Sequence, residues 1–195
     1  MNTAQAWAGD FGRDYHARDV REVDKTVNLF RLMLRNAGII RTAVEFGAGT
    51  GTNLEALKRL IRCRTTGVEI NPAACEEMQA DEVICGSMLN VEVSPRKLAF
   101  TKGALIHIHP NDLPQAYSAL FKASSKYIML CEYFNPTPAE IEYRGQSGLL
   151  WKRDFAGEMM DSYPLDLLDY GFSYDRDPEM PSDNFNWFLL GKKNG

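Results

Sequence analysis

Three glycines at alternate positions, Gly47, Gly49 and Gly51, follow a run from Ile40 to Phe46 in which Ile40, Ala43, Val44 and Phe46 are apolar. The glycines lead into a segment whose inner face is marked by Leu54, Leu57 and Ile61. The run predicts a buried strand, and the spacing after the glycines predicts a helix. A strand that turns on glycines into a helix opens a doubly wound α/β sheet. Glycine is needed there because the backbone turns sharply and a ligand lies directly against it. A bare tight turn is the competing reading, but it does not call for three alternating glycines.

The rest of the chain repeats the alternation. Val20, Val23, Val27, Phe30, Met33, Leu34 and Ala37 share one face of a helix predicted over Asp19–Ala37, with Gly38 suited to ending it. Further strands are predicted at Thr65–Ile70, Glu82–Cys85, Lys97–Thr101 and Lys126–Tyr133. Helices are predicted from Asn71-Pro72, over Asn111–Ser124 and over Lys152–Met160. Asp166–Tyr174 and Phe185–Leu190 read as a closing pair of strands around a long turn rich in Asp and Pro. The expectation is a single α/β domain over residues 1–195: a Rossmann-like, seven-stranded, mainly parallel sheet with an antiparallel strand near one edge and helices on both faces.

Composition narrows the functions. The 195 residues carry 22 Lys and Arg against 26 Asp and Glu, a net charge of −4. A mildly acidic chain is not built to displace counterions from a phosphate backbone, so no nucleic-acid partner is expected. No window approaches the roughly 18 apolar residues of a membrane span, and Met1–Asp10 lacks an apolar signal-peptide core. Cys63, Cys75, Cys85 and Cys131 form no CxxC pair and read as reduced thiols, hence a cytoplasmic expectation. No Cys/His/Asp grouping has zinc-like spacing, and neither a GxSxG nor a Walker sequence occurs.

Glu69 ends the second strand, where an acid accepting both ribose hydroxyls of a nucleoside belongs in such a fold. The dinucleotide fingerprint wants a glycine at position 52, which is Thr52. Glu45 stands two residues before the first glycine, and a carboxylate there suits an ammonium better than a phosphate. S-adenosylmethionine (SAM) has an ammonium, a sulfonium and a ribose, and no phosphate.

At these residues the chain resembles the class I SAM-dependent methyltransferases, over nearly its whole length. More narrowly, it is similar to small methylases associated with pseudaminic acid (nonulosonic sugar) biosynthesis. The likeness rests on Trp7-Ala8-Gly9-Asp10-Phe11-Gly12 with Tyr15 and Arg18, Glu45–Leu54, Phe100–Ile108, Glu132–Pro138, Tyr143-Arg144-Gly145, Lys152–Glu158 and Trp187–Leu190. It implies SAM as cofactor, S-adenosylhomocysteine (SAH) as product, and a small-molecule acceptor. Where the superfamily commonly has an acid after the third strand, this chain has Cys85-Gly86-Ser87-Met88. Gly86 and Ser87 are therefore expected at the adenine, with Met88 packed on the ring.

The cofactor site is expected to comprise Glu45, Gly47, Gly49, Gly51, Asn53, Glu69, Ile70, Gly86, Ser87, Met88, Thr101 and Lys102. Trp7, Phe11, Tyr15 and Arg18 are expected to cover it as an N-terminal lid over residues 1–18; a hydrophobic strap on the first helix is the alternative. His107 is the expected base, because an unperturbed imidazole titrates near neutrality, and Glu132 and Tyr133 are expected to orient a polar acceptor. His107, Asn135, Tyr143, Arg144, Lys152 and Arg153 are the expected acceptor contacts, the cations holding an anionic group. Two other readings stand beside the enzyme: a non-catalytic protein that binds SAM or SAH, and a small NAD-binding oxidoreductase. The oligomeric state is not legible.

Overall fold

The computed structural model describes residues 3–16 and 23–193. Two short helices, α1 (Thr3–Ala8) and α2 (Asp10–His16), precede α3 (Val23–Met33). Arg18 and the expected helix start at Asp19 lie outside the described residues. The other end of that helix comes earlier than its pattern suggests. Beyond Met33 the bonds tighten to i→i−3, from Arg35 to Leu32 and from Ala37 to Leu34, and the helix closes as turns before Gly38.

Next come β1 (Thr42–Phe46), α4 (Thr52–Leu60), β2 (Arg64–Glu69), α5 (Pro72–Glu77), β3 (Glu82–Cys85) and β4 (Arg96–Lys102). After them follow α6 (Leu113–Ala123), β5 (Ser124–Glu132) and a small antiparallel ribbon of β6 (Ala139–Glu140) and β7 (Trp151–Lys152). The chain ends with α7 (Phe155–Ser162), β8 (Leu165–Phe172) and β9 (Asn186–Lys192).

Seven strands form one sheet in the order β3-β2-β1-β4-β5-β9-β8. β9 runs antiparallel to both neighbours, while the pairings among β1 to β5 are parallel. The chain winds outward from β1 in one direction through β2 and β3, and in the other through β4 and β5. The crevice beyond the carboxyl ends of β1 and β4 is therefore the switch point where such sheets bind ligands. The apolar faces read from sequence meet here: Phe30, Phe46, Leu54, Leu57, Phe100, Leu120 and Trp187 are fully buried, and Phe30 sets its edge on Phe100 at 5.7 Å. Among the described residues no helix is long and apolar enough to cross a membrane.

Two local structures matter for the site. The Asn71 side chain caps α5, accepting from Ala73 N (3.1 Å) and Ala74 N (3.3 Å). The helix expected from Lys152 starts instead at Phe155, because Asp154 supplies the cap by accepting from Gly157 N at 2.8 Å. Lys152 and Arg153 thus precede the helix, so no positive charge sits in its first turn.

Candidate active site

A cavity of about 470 Å³ occupies the switch point. The glycine loop forms its floor. Gly47, Gly49 and Gly51 have φ of 73°, 54° and 85°, the left-handed region that side chains with a Cβ resist. A Cβ on Gly47 would lie 2.6 Å from that of Ala104, so the loop packs directly on the segment after β4. Gly47 and Gly49 line the cavity, and Gly51 turns the chain behind it into α4.

Glu69 links the loop to β2. Its buried carboxylate accepts from Gly49 N at 2.8 Å and from Asn71 N at 2.9 Å, and each oxygen keeps a lone pair for a further donor. Ile70, Gly86, Ser87 and Met88 continue the wall beside it. His16, which sequence reasoning missed, closes the same corner with Nε2 3.9 Å from Glu69 Oε1.

Glu45 lies behind the wall. Its side chain is fully buried, and Asn53, which does line the cavity, donates to Oε1 at 2.6 Å. Burial pushes the Glu45 carboxyl up to about 8, against the pull of Asn53 and Lys102. The other oxygen, Oε2, is buried without a partner. An acid with an orphaned oxygen before a glycine loop is neutral when nothing is bound, but it ionises beside a cation and gives a phosphate nothing to pair with. The residues present therefore fit a ligand with an ammonium group, and SAM is such a ligand.

Two N-terminal helices cross the cavity. Trp7 and Tyr15 line it, while Phe11 packs behind them, edge-on to Trp7 at 5.2 Å and near Tyr143 at 6.3 Å. Asn71 Nδ2 donates to Trp7 O (2.9 Å) and Gly9 O (3.2 Å), which ties the crossing to α5. Lys25 reaches the cavity from α3.

Three residues expected to act on an acceptor take different places. His107 lines the cavity, its ring between Trp7 (4.4 Å) and Tyr143 (5.2 Å). Nδ1 lies 2.7 Å from the Leu149 carbonyl, which can only accept, so Nδ1 holds the proton and Nε2 carries the lone pair. Burial pushes the ring down to about 4, keeping it neutral and making it a weak base but a sound hydrogen-bond acceptor. Tyr133 also lines the cavity; burial, then the charge of Asp183, pushes its hydroxyl up to about 12. Glu132 does not line it. Its buried carboxylate accepts from Ala104 N, Leu105 N and Ile106 N at 3.1, 3.1 and 3.3 Å. It therefore holds the turn that carries His107 and acts as a positioning residue. Burial still raises it to about 7. Thr101 is likewise buried beneath the surface, and Lys102 lines it.

The expected cluster of acceptor-holding cations is only partly assembled. Arg153 is held by Glu158, with Nε at 2.8 Å and Nη2 at 2.7 Å, and Tyr117 donates to the same carboxylate at 2.7 Å. Arg144 stands on a turn with φ 53° and lays its guanidinium over Tyr15 (5.5 Å) and Tyr143 (5.6 Å). It bridges the N-terminal helices to the turn and does not line the cavity. Asn135 donates to the Thr137 carbonyl, a local turn bond. Lys102 lines the cavity and Lys152 stands next to its wall: their ammoniums lie 5.3 Å from Phe185 and 5.0 Å from Tyr133, two rings of that wall stacked 4.6 Å between centroids. Sequence reasoning also missed the wall supplied by the β8–β9 turn, Asp175 and Pro181 to Asp183 with Phe185.

No protein-family model matches the chain, and no curated protein sequence matches it. Solved structures do match in fold. Magnesium protoporphyrin IX methyltransferase (ChlM) from Synechocystis PCC 6803, with bound SAM, covers 99% of this chain and 98% of its own at 11% identity and a TM-score of 0.68. The 1,6-didemethyltoxoflavin-N1-methyltransferase of Burkholderia thailandensis, bound to its namesake and SAH, covers 94% and 83% at 13% identity, TM-score 0.67. The sugar N-methyltransferase KedS8 from Streptoalloteichus sp ATCC 53650 covers 97% and 95% at 12% identity, TM-score 0.69. The chain has the Rossmann-like fold of class I SAM-dependent methyltransferases.

Proposed function

We propose that this protein is a SAM-dependent methyltransferase, a single catalytic domain acting on a small polar acceptor with an anionic group. The observation that carries the cofactor half is Glu45, a buried carboxyl with an orphaned oxygen directly under the glycine loop. A dinucleotide's pyrophosphate is poorly served there, and that weighs against the NAD reading. Glu69 and the backbone of Gly47 to Gly49 would hold the ribose and amino-acid portion, and Ser87 and Met88 the adenine. When bound, SAM supplies an electrophilic methyl group on a sulfonium.

The chain's own work is to align the acceptor and exclude water. His107, fixed by Leu149 and by the Glu132-bound turn, presents Nε2 as acceptor for a substrate hydroxyl or amine proton. Tyr133, on the same cavity wall, offers a hydroxyl donor. Lys102, with Lys152 beside the Tyr133 ring, supplies positive charge for an acceptor carboxylate, while Arg144 and Arg153 are taken by other partners. The narrower expectation, a nonulosonic sugar, combines such a carboxylate with hydroxyls. Support for small acceptors also comes from two fold neighbours, which act on 1,6-didemethyltoxoflavin and on a sugar.

The test is incubation of the protein with cell extract and isotopically labelled SAM, followed by mass spectrometry for a labelled small molecule. Labelled product on an anionic metabolite is the expected result. Binding of SAM with no labelled product would favour the non-catalytic reading, and binding of NAD in preference to SAM would overturn the cofactor.

A further inference from the structure

The ends of β2 and β3, which carry the cofactor wall, also bring two cysteines together. Cys75 of α5 donates its thiol to the Glu69 carbonyl at 3.3 Å, and the same carbonyl accepts from Gly86 N at 2.7 Å. Cys85 lies opposite Glu69 in the β2–β3 register, immediately before Gly86, so the two cysteines flank the same Glu69 peptide. Cys85 is exposed and Cys75 half-buried, whereas Cys131 is wholly buried. We propose that Cys75 and Cys85 are a thiol-oxidation site, joined by exchange with a low-molecular-weight disulfide, and that the bond weakens cofactor binding. The second half rests on the cofactor reading above.

The chemistry follows exposure. Cys85, reachable from solvent, attacks one sulfur of a small disulfide as its thiolate and expels a small thiolate. Cys75 is less accessible and donates to the Glu69 carbonyl, and burial first and Cys85 second push its thiol up to about 12, so Cys85 reacts first. Cys75 then gives its proton to water and attacks the Cys85 sulfur, expelling the second small thiolate. The two cysteines lose two electrons, and the small disulfide becomes two thiols.

The consequence is geometric. A covalent S–S bond is far shorter than a thiol–thiol contact, so its formation draws Cys85 and the following Gly86-Ser87-Met88 toward α5. Ser87 and Met88 line the cavity, and the Cys75 bond to the Glu69 carbonyl is lost at the same time. Both changes disturb the same corner of the site.

The whole chain is treated with oxidised glutathione, then alkylated under denaturing conditions and digested. The expected result is a Cys75–Cys85 cross-linked peptide with Cys63 and Cys131 alkylated. SAH affinity of the oxidised protein falls by roughly tenfold, within the usual range of coupling between sites, and dithiothreitol restores it. The exposed-site variant Cys85→Ser binds SAH like the reduced protein and does not respond to oxidant; Cys75→Ser takes up glutathione at Cys85 without cross-linking. Glutathione retained on Cys85 of the unmutated protein, with no cross-link, would overturn the pairing. A cross-link with unchanged affinity would overturn its effect on the wall. The mass spectrum is read without cofactor, so failure of the SAM reading is seen separately, as absence of SAH binding to the reduced protein.

Discussion

Asn53 donates to Glu45 at 2.6 Å, and this bond joins a residue on the cavity surface to a carboxyl buried behind it. Because burial raises Glu45 to about 8, the ligand-free protein carries it mostly protonated at neutral pH. A cationic ligand favours the ionised form, so binding must release a proton. SAH affinity is expected to rise by up to about tenfold per pH unit below 8, with proton uptake by the buffer seen in calorimetry. The raised carboxyl also gives the ligand-free fold stability that is full below its ordinary 4.5 and is lost as pH rises through about 8. Glu45→Gln should remove both slopes. A pH-independent affinity in the unmutated protein would exclude Glu45 from cofactor binding.

Glu69 holds Gly49 N and Asn71 N while keeping capacity for ribose hydroxyls. Its replacement by Ala removes a charged acceptor from both tasks. The expected loss of SAH binding is about 2–4 kcal/mol by calorimetry. Unchanged affinity in Glu69→Ala would refute the ribose assignment.

His107 is expected to remain in its neutral Nδ1–H form well below its ordinary 6.5, because burial lowers it to about 4. Nitrogen NMR of the labelled ring reads the tautomer directly. For a lowered imidazole the stability is present above 6.5 and lost as pH falls through about 4, up to roughly 3 kcal/mol from this ring alone. His107→Gln should flatten that acid limb of the melting curve. A ring that titrates near 6.5 would mean the Leu149 pocket is open to water.

Where the sequence was legible, one residue's own periodicity or capping chemistry decided the outcome. Asn71-Pro72 caps α5, and the alternating glycines turn left-handed at all three positions. The acceptor end was harder because its residues are placed by tertiary partners. Arg153 looked like a ligand until Glu158 was brought five residues along the first turn of α7 to meet it. Glu132 sits at a strand end like a functional acid, yet three backbone donors from the turn after β4 claim it. Asp183 and Phe185 enter the wall because β9 is inserted between β5 and β8; the closing strand pair is legible in the sequence, but its placement beside β5 is not.

Arg144 gives the N-terminal crossing a test that needs only SAH. Its guanidinium covers Tyr15 and Tyr143, one from each side of the junction, while Trp7 and Tyr15 face the cavity. A ligand under these rings buries them further, so hydrogen exchange across residues 3–16 should slow when SAH is added. Arg144→Ala removes both cation–π contacts and should speed exchange in the same segment by roughly fivefold, the scale of such contacts at exposed sites. It should leave exchange in β1 and β4 unchanged, since neither strand depends on the crossing. Asn71 anchors the other end through Trp7 O and Gly9 O, and Asn71→Ala should loosen the segment even with Arg144 in place. If protection over residues 3–16 is the same with and without SAH, the segment is a fixed strap on the sheet and not a lid.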